Sequence, residues 1–322
     1  MLRPALQEKL IHAAEATGFS DRIDYLLEQA CECVYWFADD ALPAGRPGCS
    51  RLGGLPDLPK ELPWPNGVDN DDNPSGYANL LAQFNLSEIP GVDSVPLPRI
   101  GHLWLFLRRV TLVSPIALIC GTLPDPIMPP REAPANAKWA FDDLTTGSIG
   151  LRFEVGIDLP FGRDLFDIGL GLKSRYGSTE LWKAIGAMEP DGRIGGYAFG
   201  PEGQNYCQSV ALRHLGRPGI YPYDYETVAQ MNESLACGPR GRVDRPGELE
   251  KWIAQHEAIR PEVEWIDTHR TEIDEWQLLM RVREEYNTDL QWGGAANSLW
   301  IFIRKADLAA GGFDRPFAVI QP

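Results

Sequence analysis

Two matching heptapeptides in this chain decide its fold. LWLFLRR occupies residues 103–109 and returns as LWIFIRK at residues 299–305, with every position identical or conservatively replaced. In both copies aliphatic residues alternate with Trp and Phe, which is the two-residue period of a β-strand. Because both faces of such a strand are apolar, we predict interior strands that are covered on both sides.

Further short matches precede these strands in the same order. RLGG at residues 51–54 corresponds to RIGG at residues 193–196, and LLAQF at residues 80–84 corresponds to LLMRV at residues 278–282. The paired glycines suit a tight turn or a close backbone approach just before a strand. Three matched pieces in one order predict two copies of one structural unit.

The rest of the chain adds helices to these sheets. Apolar residues at helical spacing over about residues 4–37 predict two helices. We therefore predict an α+β fold, with two related sheet-containing halves and an N-terminal helical segment. Further helices are expected near residues 178–185, 223–235 and 246–259.

The domain plan follows from these copies and from a proline-rich stretch at residues 123–134, which reads as an extended surface connection. We predict an N-terminal helical segment over residues 1–47 and a first half over residues 48–135. A second half with helical insertions spans residues 136–322. We expect the three parts to form one compact globular unit.

The composition excludes several classes of function. The 322 residues include 45 acidic and 30 basic side chains, which give a net charge of −15 and a pI near 4.8. Direct binding to nucleic acid and to anionic membranes is therefore not expected, and a charged partner would be cationic. The first residues lack the apolar region of a secretory signal, and no apolar run is long enough to span a membrane. We expect a cytoplasmic protein.

Motifs for metal, cofactor or covalent chemistry fail on inspection. HEAIR at residues 256–260 has Arg260 where a zinc-binding helix needs its second histidine. The six cysteines are scattered, the five histidines are isolated, and no nucleophile elbow occurs. We expect no catalytic residue, no metal and no cofactor, although a triad assembled only by folding would leave no local motif.

A charge run near the C-terminus is more informative. Residues 255–289 contain ten acidic and four basic side chains, and Trp and Tyr residues are interleaved among them. Such a run is usually a solvated face, but acidic residues beside aromatics also suit a protein interface. The candidate partner contacts are Glu262, Glu264, Trp265, Asp267, Glu272, Asp274 and Glu275.

The chain resembles the YwqG-like family of unknown function over about residues 48–320. The motifs that carry the resemblance are GGLP at 53–56, LPWP at 62–65, LAQFNL at 81–86, IGGY at 194–197, WG at 292–293 and RKADL at 304–308. The family typically shows Gln where Arg281 stands, Asp where Gly294 stands and Gly where Ala296 stands. The resemblance implies no shared reaction, but similar members occur as immunity proteins encoded beside secreted bacterial toxins, nucleases among them.

The resemblance and the charge together predict an immunity protein. A nuclease presents a basic cleft to phosphates, and an acidic protein surface can occupy that cleft in place of nucleic acid. We therefore expect a non-enzymatic inhibitor whose partner is a cognate toxin, most simply a basic nuclease domain.

Two other functions stay open at the level of sequence. An enzyme or small-ligand protein would use a pocket between the two halves, lined by Gln83, Trp292 and the two Gly-Gly turns. A buried Gln on a strand, however, more often satisfies the backbone of a neighbouring loop. A cleft could also involve Asp57, Glu61 and Trp64. Asp57 and Glu61 are better interpreted as turn residues, and Trp64 as an aromatic residue of the core. The third possibility is a scaffold that only mediates assembly.

Overall fold

The structure is a computed structural model, and its helices and strands are numbered along the residues that it describes. These are residues 2–66, 76–107, 116–123, 130–132, 138–139, 147–160, 170–171, 179–187, 190–198, 206–217, 227–237, 247–283, 298–313 and 315–321. The chain divides into two compact units. The helical unit comprises Met1–Glu32, Gly156–Glu189 and Gly196–Gln277, and the sheet unit comprises Cys33–Val155, Pro190–Gly195 and Leu278–Pro322.

The helical unit contains eight helices within the described residues. They are α1 (Pro4–Ala16), α2 (Ile23–Gln29), α3 (Thr179–Ala184), α4 (Tyr206–His214), α5 (Val228–Cys237), α6 (Glu248–Ala258), α7 (Arg260–Thr268) and α8 (Arg270–Asp274). Helix α1 packs on α2, α4 packs on α8, and α5 packs on both α6 and α7. A small cluster under these helices buries Met231 of α5 against Val263 of α7.

The strands lie mainly in the sheet unit. They are β1 (Cys31–Asp39), β2 (Arg51–Gly53), β3 (Gly76–Tyr77), β4 (Asn79–Asn85), β5 (His102–Leu107), β6 (Ile116–Gly121), β7 (Lys138–Trp139), β8 (Ser148–Asp158), β9 (Gly192–Ile194), β10 (Trp276–Arg283), β11 (Ser298–Arg304) and β12 (Phe317–Gln321). Helix α9 (Lys305–Ala309) follows β11 directly. Strands β3 and β7 form a separate parallel pair.

The ten other strands form one sheet with the order β12-β11-β10-β9-β1-β8-β2-β4-β5-β6. Outward from its centre, one side presents β2, β4, β5 and β6, and the other presents β9, β10, β11 and β12. The strands that carry the matched sequence pieces therefore occupy corresponding places. Strand β1, which precedes the first copy in the chain, pairs with β9 of the second copy, and β8, from the second half, pairs with β2 of the first.

The predicted interior strands are confirmed. Strand β5 lies between β4 and β6, β11 lies between β10 and β12, and every residue of His102–Leu107 is buried. The alternating faces are also confirmed, because Leu103, Leu105 and Leu107 enter the main core cluster. Trp104 and Phe106 enter a second cluster, with Leu58, Trp64, Ala78 and Leu80.

The predicted N-terminal helices are confirmed only up to residue 29. Residues 31–37 were expected to continue the second helix, and that prediction is wrong, because they form strand β1. This stretch contains Val34 and three consecutive aromatic residues, which favour a strand, and Trp36 is buried where β1 pairs with β9. Pairing with a distant strand thus overrides a local apolar spacing that would also suit a helix.

The other predicted helices have mixed outcomes. Helix α3 confirms the one expected near residues 178–185, and α6 confirms the one expected near residues 246–259. Helix α5 begins at Val228, and residues 223–226 of the corresponding prediction lie outside the described residues. Helices α4, α7 and α8 were not predicted as separate helices.

Of the proline-rich stretch, the structure describes residue 123 and residues 130–132. There the backbone N–H of Arg131 donates to the carbonyl of Pro56 at 2.8 Å, and its Nη1 donates to the carbonyl of Leu62 at 2.7 Å. This part of the connection therefore holds the loop that follows β2. The boundaries predicted at residues 47/48 and 135/136 follow the matched sequence copies, and they stay a prediction. The two compact units are a different division, because each of them combines separate segments of the chain.

The Gly-Gly turns take the backbone conformation that their sequence suggests. Gly53, Gly54 and Gly195 have φ values of 63°, 73° and 74°. A Cβ atom added to Gly195 would lie 2.7 Å from Ser94 Oγ and 2.8 Å from Val95 Cγ2. The turn after β9 thus requires glycine both for its conformation and for a close approach.

No helix among the described residues is long and apolar enough to cross a membrane.

We predict that Gly195→Ala destabilises the protein more than Gly311→Ala. Both positions have positive φ, which costs an alanine about 1–2 kcal/mol, but nothing lies within 4 Å of a Cβ at Gly311. The overlap with Ser94 and Val95 adds about 1–3 kcal/mol at Gly195 alone. Urea unfolding of both variants measures the difference, and equal losses would show that the close approach contributes nothing.

Candidate functional site

A buried ion pair lies at the start of the first copy. Arg51 Nη1 lies 2.9 Å from Asp57 Oδ2, and the two side chains are 2% and 0% exposed. Arg51 opens β2, and the chain turns back after Gly53-Gly54 to bring Asp57 to it. Arg51 Nη2 also donates to the carbonyl of Leu55 at 2.5 Å, so the guanidinium holds the turn at two points.

Gln83 on β4 completes this pair. Its Oε1 accepts from the backbone N–H of Asp57 at 2.9 Å and from Trp104 Nε1 at 2.8 Å. Its Nε2 donates to Asp57 Oδ2 at 2.7 Å and to the carbonyl of Cys49 at 3.0 Å. Each polar atom of the amide therefore serves the protein itself, which is the structural role expected of a buried Gln on a strand.

His102 and Gly48 extend the network. The N–H of Gly48 donates to Asp57 Oδ2 at 2.6 Å, and the carbonyl of Gly48 lies 3.0 Å from His102 Nε2. The His102 ring stacks on Trp104, with ring centroids 5.7 Å apart. We call Arg51, Asp57, Gln83, His102 and Trp104 the first-copy polar cluster. It ties the loop before β2 and the turn after it to β4 and β5.

The electrostatics of Asp57 reflect this setting. Burial raises its pKa, but hydrogen bonds from Arg51, Gln83 and the Gly48 N–H together outweigh that effect. The pKa of Asp57 consequently lies below its ordinary value, and the carboxylate stays ionised at neutral pH. A buried, paired carboxylate of this kind stabilises a fold and offers no accessible acid or base.

The second copy has different side chains at the corresponding places. Arg193 on β9 lies directly opposite Arg281 on β10, as Arg51 lies opposite Gln83. Trp300 on β11 matches Trp104 in sequence, and the guanidinium carbons of Arg281 and Arg193 lie 4.7 Å and 5.8 Å from its ring centroid. The second copy thus gathers two positive charges around one indole.

The predicted partner contacts lie on α7 and α8 and on the residue that follows α8. Within the helical unit Glu264, Glu272, Asp274 and Glu275 are exposed, and Glu262, Trp265 and Asp267 are partly exposed. The buried side of these helices is formed by Val263, Ile266 and Ile273.

Two of these carboxylates already have partners in the helical unit. Asp267 Oδ2 accepts the backbone N–H of Val228 at 3.1 Å, at the first residue of α5. Asp274 pairs with Arg270 one helical turn earlier, at 2.6 Å. Asp267 and Asp274 therefore stabilise helices of the unit itself. The assignment of all seven residues to a partner interface stays a prediction.

Trp265 contacts two side chains, His269 and Arg217, that are not among the predicted partner contacts. Its ring stacks on His269 with a centroid distance of 3.9 Å, and the Arg217 guanidinium lies 4.7 Å from it. Trp252 and His256 repeat the Trp–His contact on α6 at 4.1 Å. In both places a His follows a Trp by four residues, and this helical spacing is the feature of the sequence that predicts the contact with His269. No local spacing predicts the contact with Arg217, because it lies far from Trp265 in the chain.

The alternative function, with a ligand pocket between the halves, stays a prediction, but both polar atoms of its candidate residue Gln83 are hydrogen-bonded within the protein. Gln83 lies beside the first Gly-Gly turn, and β8 and β1 separate β2 from β9 in the sheet. Trp292, Gly294 and Ala296 lie outside the described residues.

Trp64 and Glu61 match the structural interpretation preferred for them. Trp64 is buried in the second core cluster, and its Nε1 donates to the carbonyl of Ala78 at 3.0 Å. Glu61 is exposed in the turn before it.

We predict that Asp57→Asn lowers the free energy of unfolding by about 3–5 kcal/mol, because the guanidinium of Arg51 stays buried without a counter-charge. The control is Glu257→Gln, which breaks an exposed pair with Arg260 and should leave stability unchanged within error. Urea unfolding at neutral pH measures both. A small loss in Asp57→Asn would mean that the ion pair is dispensable.

The same pair predicts an acid dependence of stability. Because the folded-state pKa of Asp57 is depressed, its contribution is complete above the unfolded pKa of about 3.9 and is lost as pH falls through the lower folded value. The stability difference between the wild type and Asp57→Asn should therefore shrink below about pH 4. A difference that stays constant over that range would contradict the depressed pKa.

Comparison with known proteins adds one match. Residues 50–114 match the model of a domain of unknown function (DUF1963). The matched range contains β2, β4 and β5 and therefore the whole first-copy polar cluster, while the rest of the chain is outside it. No curated protein matches this chain. The expected resemblance to a family of unknown function is thus shown for part of the first copy.

Proposed function

We propose that this chain is an immunity protein that binds and neutralises a cognate bacterial toxin, most simply a nuclease. The observation that carries the proposal is the set of exposed carboxylates on α7, α8 and the following residue, which we call the acidic surface: Glu264, Glu272, Asp274 and Glu275. The resemblance noted in the sequence supports it, and the matched domain has no assigned function.

Charge supports a cationic partner. The chain carries a net charge of −15, so its long-range field repels anions and attracts basic proteins. The acidic surface places four exposed carboxylates within twelve residues of chain, 264–275. A nuclease whose cleft is built for phosphate would meet there a row of carboxylates instead of a nucleic-acid backbone.

Trp265 supplies the aromatic part of the interface. Stacking on His269 and contact with Arg217 hold its ring in place while it remains partly exposed. A ring that is ordered before binding loses little conformational freedom in the complex. Held aromatic anchors beside charged residues are typical of the groups that carry most of the affinity in protein interfaces.

The proposed role sets a requirement on affinity. An inhibitor that protects its own cell must stay bound, which needs a dissociation constant of about 1 nM or about −12 kcal/mol. Charge alone mainly raises the association rate, so the slow dissociation must come from buried contacts around Trp265.

The decisive experiment isolates the partner from native cells with the tagged chain and identifies it by mass spectrometry. The proposal predicts one basic protein, in equal amount, that arrests growth when expressed alone and is harmless when expressed with this chain. A partner that is harmless alone, or no partner from cells in which the chain is expressed, would overturn it.

For that toxin we predict that the triple variant Glu272→Gln, Asp274→Asn, Glu275→Gln associates about tenfold more slowly at low salt, because electrostatic attraction is reduced. Its association rate should also depend less on ionic strength than that of the wild type. Stopped-flow or surface-based kinetics measure both quantities.

The matched control is Glu8→Gln, Glu15→Gln, Asp24→Asn. It removes the same number of exposed carboxylates from α1 and α2 of the same unit. If both triple variants slow association equally, net charge rather than the acidic surface guides the partner. If neither does, this surface is not the binding site.

A further inference from the structure

Helix α6 differs from the other described helices of the helical unit. Each of the other seven buries at least one of its residues, whereas none of the residues of Glu248–Ala258 is buried. A helix of this length is marginal in water by itself and gains most of its stability by packing an apolar face. In α6 the residues suited to such packing are partly or largely open to solvent.

The exposed apolar residues of α6 are grouped. Four large hydrophobic side chains are exposed among the described residues, and two of them, Leu249 at 42% and Ile253 at 40%, stand one turn apart on this helix. Trp252 and His256 are partly exposed beside them, and the four have the i, i+3, i+4, i+7 spacing of one helix face. We call Leu249, Trp252, Ile253 and His256 the α6 stripe. Single exposed hydrophobic residues are common, whereas this spacing is typical of helices that bind a partner.

The α6 stripe is ordered by contacts within the helix. The rings of Trp252 and His256 lie with their centroids 4.1 Å apart, and His256 Nδ1 lies 2.8 Å from the carbonyl of Trp252. Leu249 and Ile253 form one ridge of side chains four residues apart, and Trp252 and His256 form the next. Because the groove between two such ridges receives the ridge of another helix, the stripe has the packing geometry for a helical partner.

The border of the α6 stripe is acidic. Glu250 precedes Ile253 by three residues and Glu257 follows it by four, so both exposed carboxylates lie next to the stripe. Glu257 pairs with Arg260 at 2.6 Å, whereas Glu250 makes no ion pair among the described residues. Lys251 lies two residues before Ile253 and therefore faces away from it. A partner that complements this border carries positive charge.

The same charges disfavour two other occupants. A second copy would bring Glu250 against an equally acidic border, on a chain whose net charge is −15. A helix that lies on a membrane surface carries Lys and Arg on its polar face, whereas three of the charged side chains of α6 are acidic and one is basic. The occupant that fits both the apolar stripe and its acidic border is a basic amphipathic helix of another protein.

We propose that the α6 stripe is a docking site for a basic amphipathic helix of a partner protein. The apolar face of that helix packs on Leu249 and Ile253 beside the ordered ring of Trp252, and its Lys or Arg side chains pair with Glu250. The acidic surface lies on α7, α8 and the following residue, so this docking site does not depend on the proposed toxin.

The test titrates the full chain into a fluorescently labelled peptide of about 18 Leu and Lys residues, long enough to form a helix, with Leu at i, i+3 and i+4 spacing. We expect saturable binding at physiological salt with a dissociation constant of about 10 μM or tighter, measured by fluorescence anisotropy. Ile253→Asp should weaken binding at least about tenfold, because a carboxylate replaces an apolar contact. Its added negative charge would by itself strengthen binding of a basic peptide, so a loss reports the apolar contact. Glu250→Lys should weaken binding more at low salt than at high salt.

The matched control is Leu42→Asp. Leu42 has a similar exposure, 37%, but lies in the sheet unit, so its replacement should leave peptide affinity unchanged within about twofold. A control peptide keeps every Lys and replaces every Leu with Ser, and it should bind at least about tenfold more weakly. Thermal unfolding verifies that each variant retains its fold. Leu249→Ala, which should weaken binding about threefold to tenfold, is the second variant of the stripe.

Several results would overturn the proposal. They are no saturable binding by the wild type, equal affinity in the wild type and a folded Ile253→Asp or Leu249→Ala, equal losses in Ile253→Asp and Leu42→Asp, and equal binding of the two peptides. Two further results would overturn it by assigning the stripe to another occupant. They are dimerisation in light scattering, or binding to vesicles of phosphatidylcholine and phosphatidylglycerol, that is present in the wild type and lost in Ile253→Asp.

Discussion

The buried contact between Arg51 and Asp57 is the constraint on which the first copy depends. Removing an ion pair from water is costly, and further hydrogen bonds to the charged groups offset that cost. Gln83 and the Gly48 N–H both donate to Asp57 Oδ2, and Trp104 donates to Gln83, so the cluster joins β2, β4 and β5 to the loops on either side of β2. The pair therefore anchors both loops to three neighbouring strands.

The two central strands connect the copies within one sheet. Strand β8, from the second half, covers the edge of β2, and β1, from the N-terminal segment, covers the edge of β9. Outward from these two strands, the strands with matched sequences follow in the same order in both copies. The side chains on these strands differ in charge, as Gln83 and Arg281 show.

The carboxylates of the helical unit fall into two groups, those that bind groups of the unit itself and those that face solvent. The amino-acid composition does not distinguish the two groups. Asp267 satisfies the start of α5 and Asp274 pairs with Arg270, so these carboxylates stabilise helices. Glu264, Glu272 and Glu275 face solvent on the same two helices and the residue after them, where they can act on a partner at a distance. The proposed immunity function depends on this second group together with Asp274 and on the ordered ring of Trp265.

The sequence by itself determined what is local or repeated. The alternation of residues 103–107 determined β5 and its two buried faces, and the order of matched pieces indicated the doubled sheet. Tertiary structure alone decided the rest, since residues 31–37 became a strand through pairing with β9. It also decided that Asp57 pairs with Arg51. It decided, too, that Asp267 accepts a hydrogen bond from the Val228 backbone whereas Glu264 is exposed. The physical reason is that periodicity reports which face of an element is apolar, whereas pairing and burial depend on residues far away in the chain.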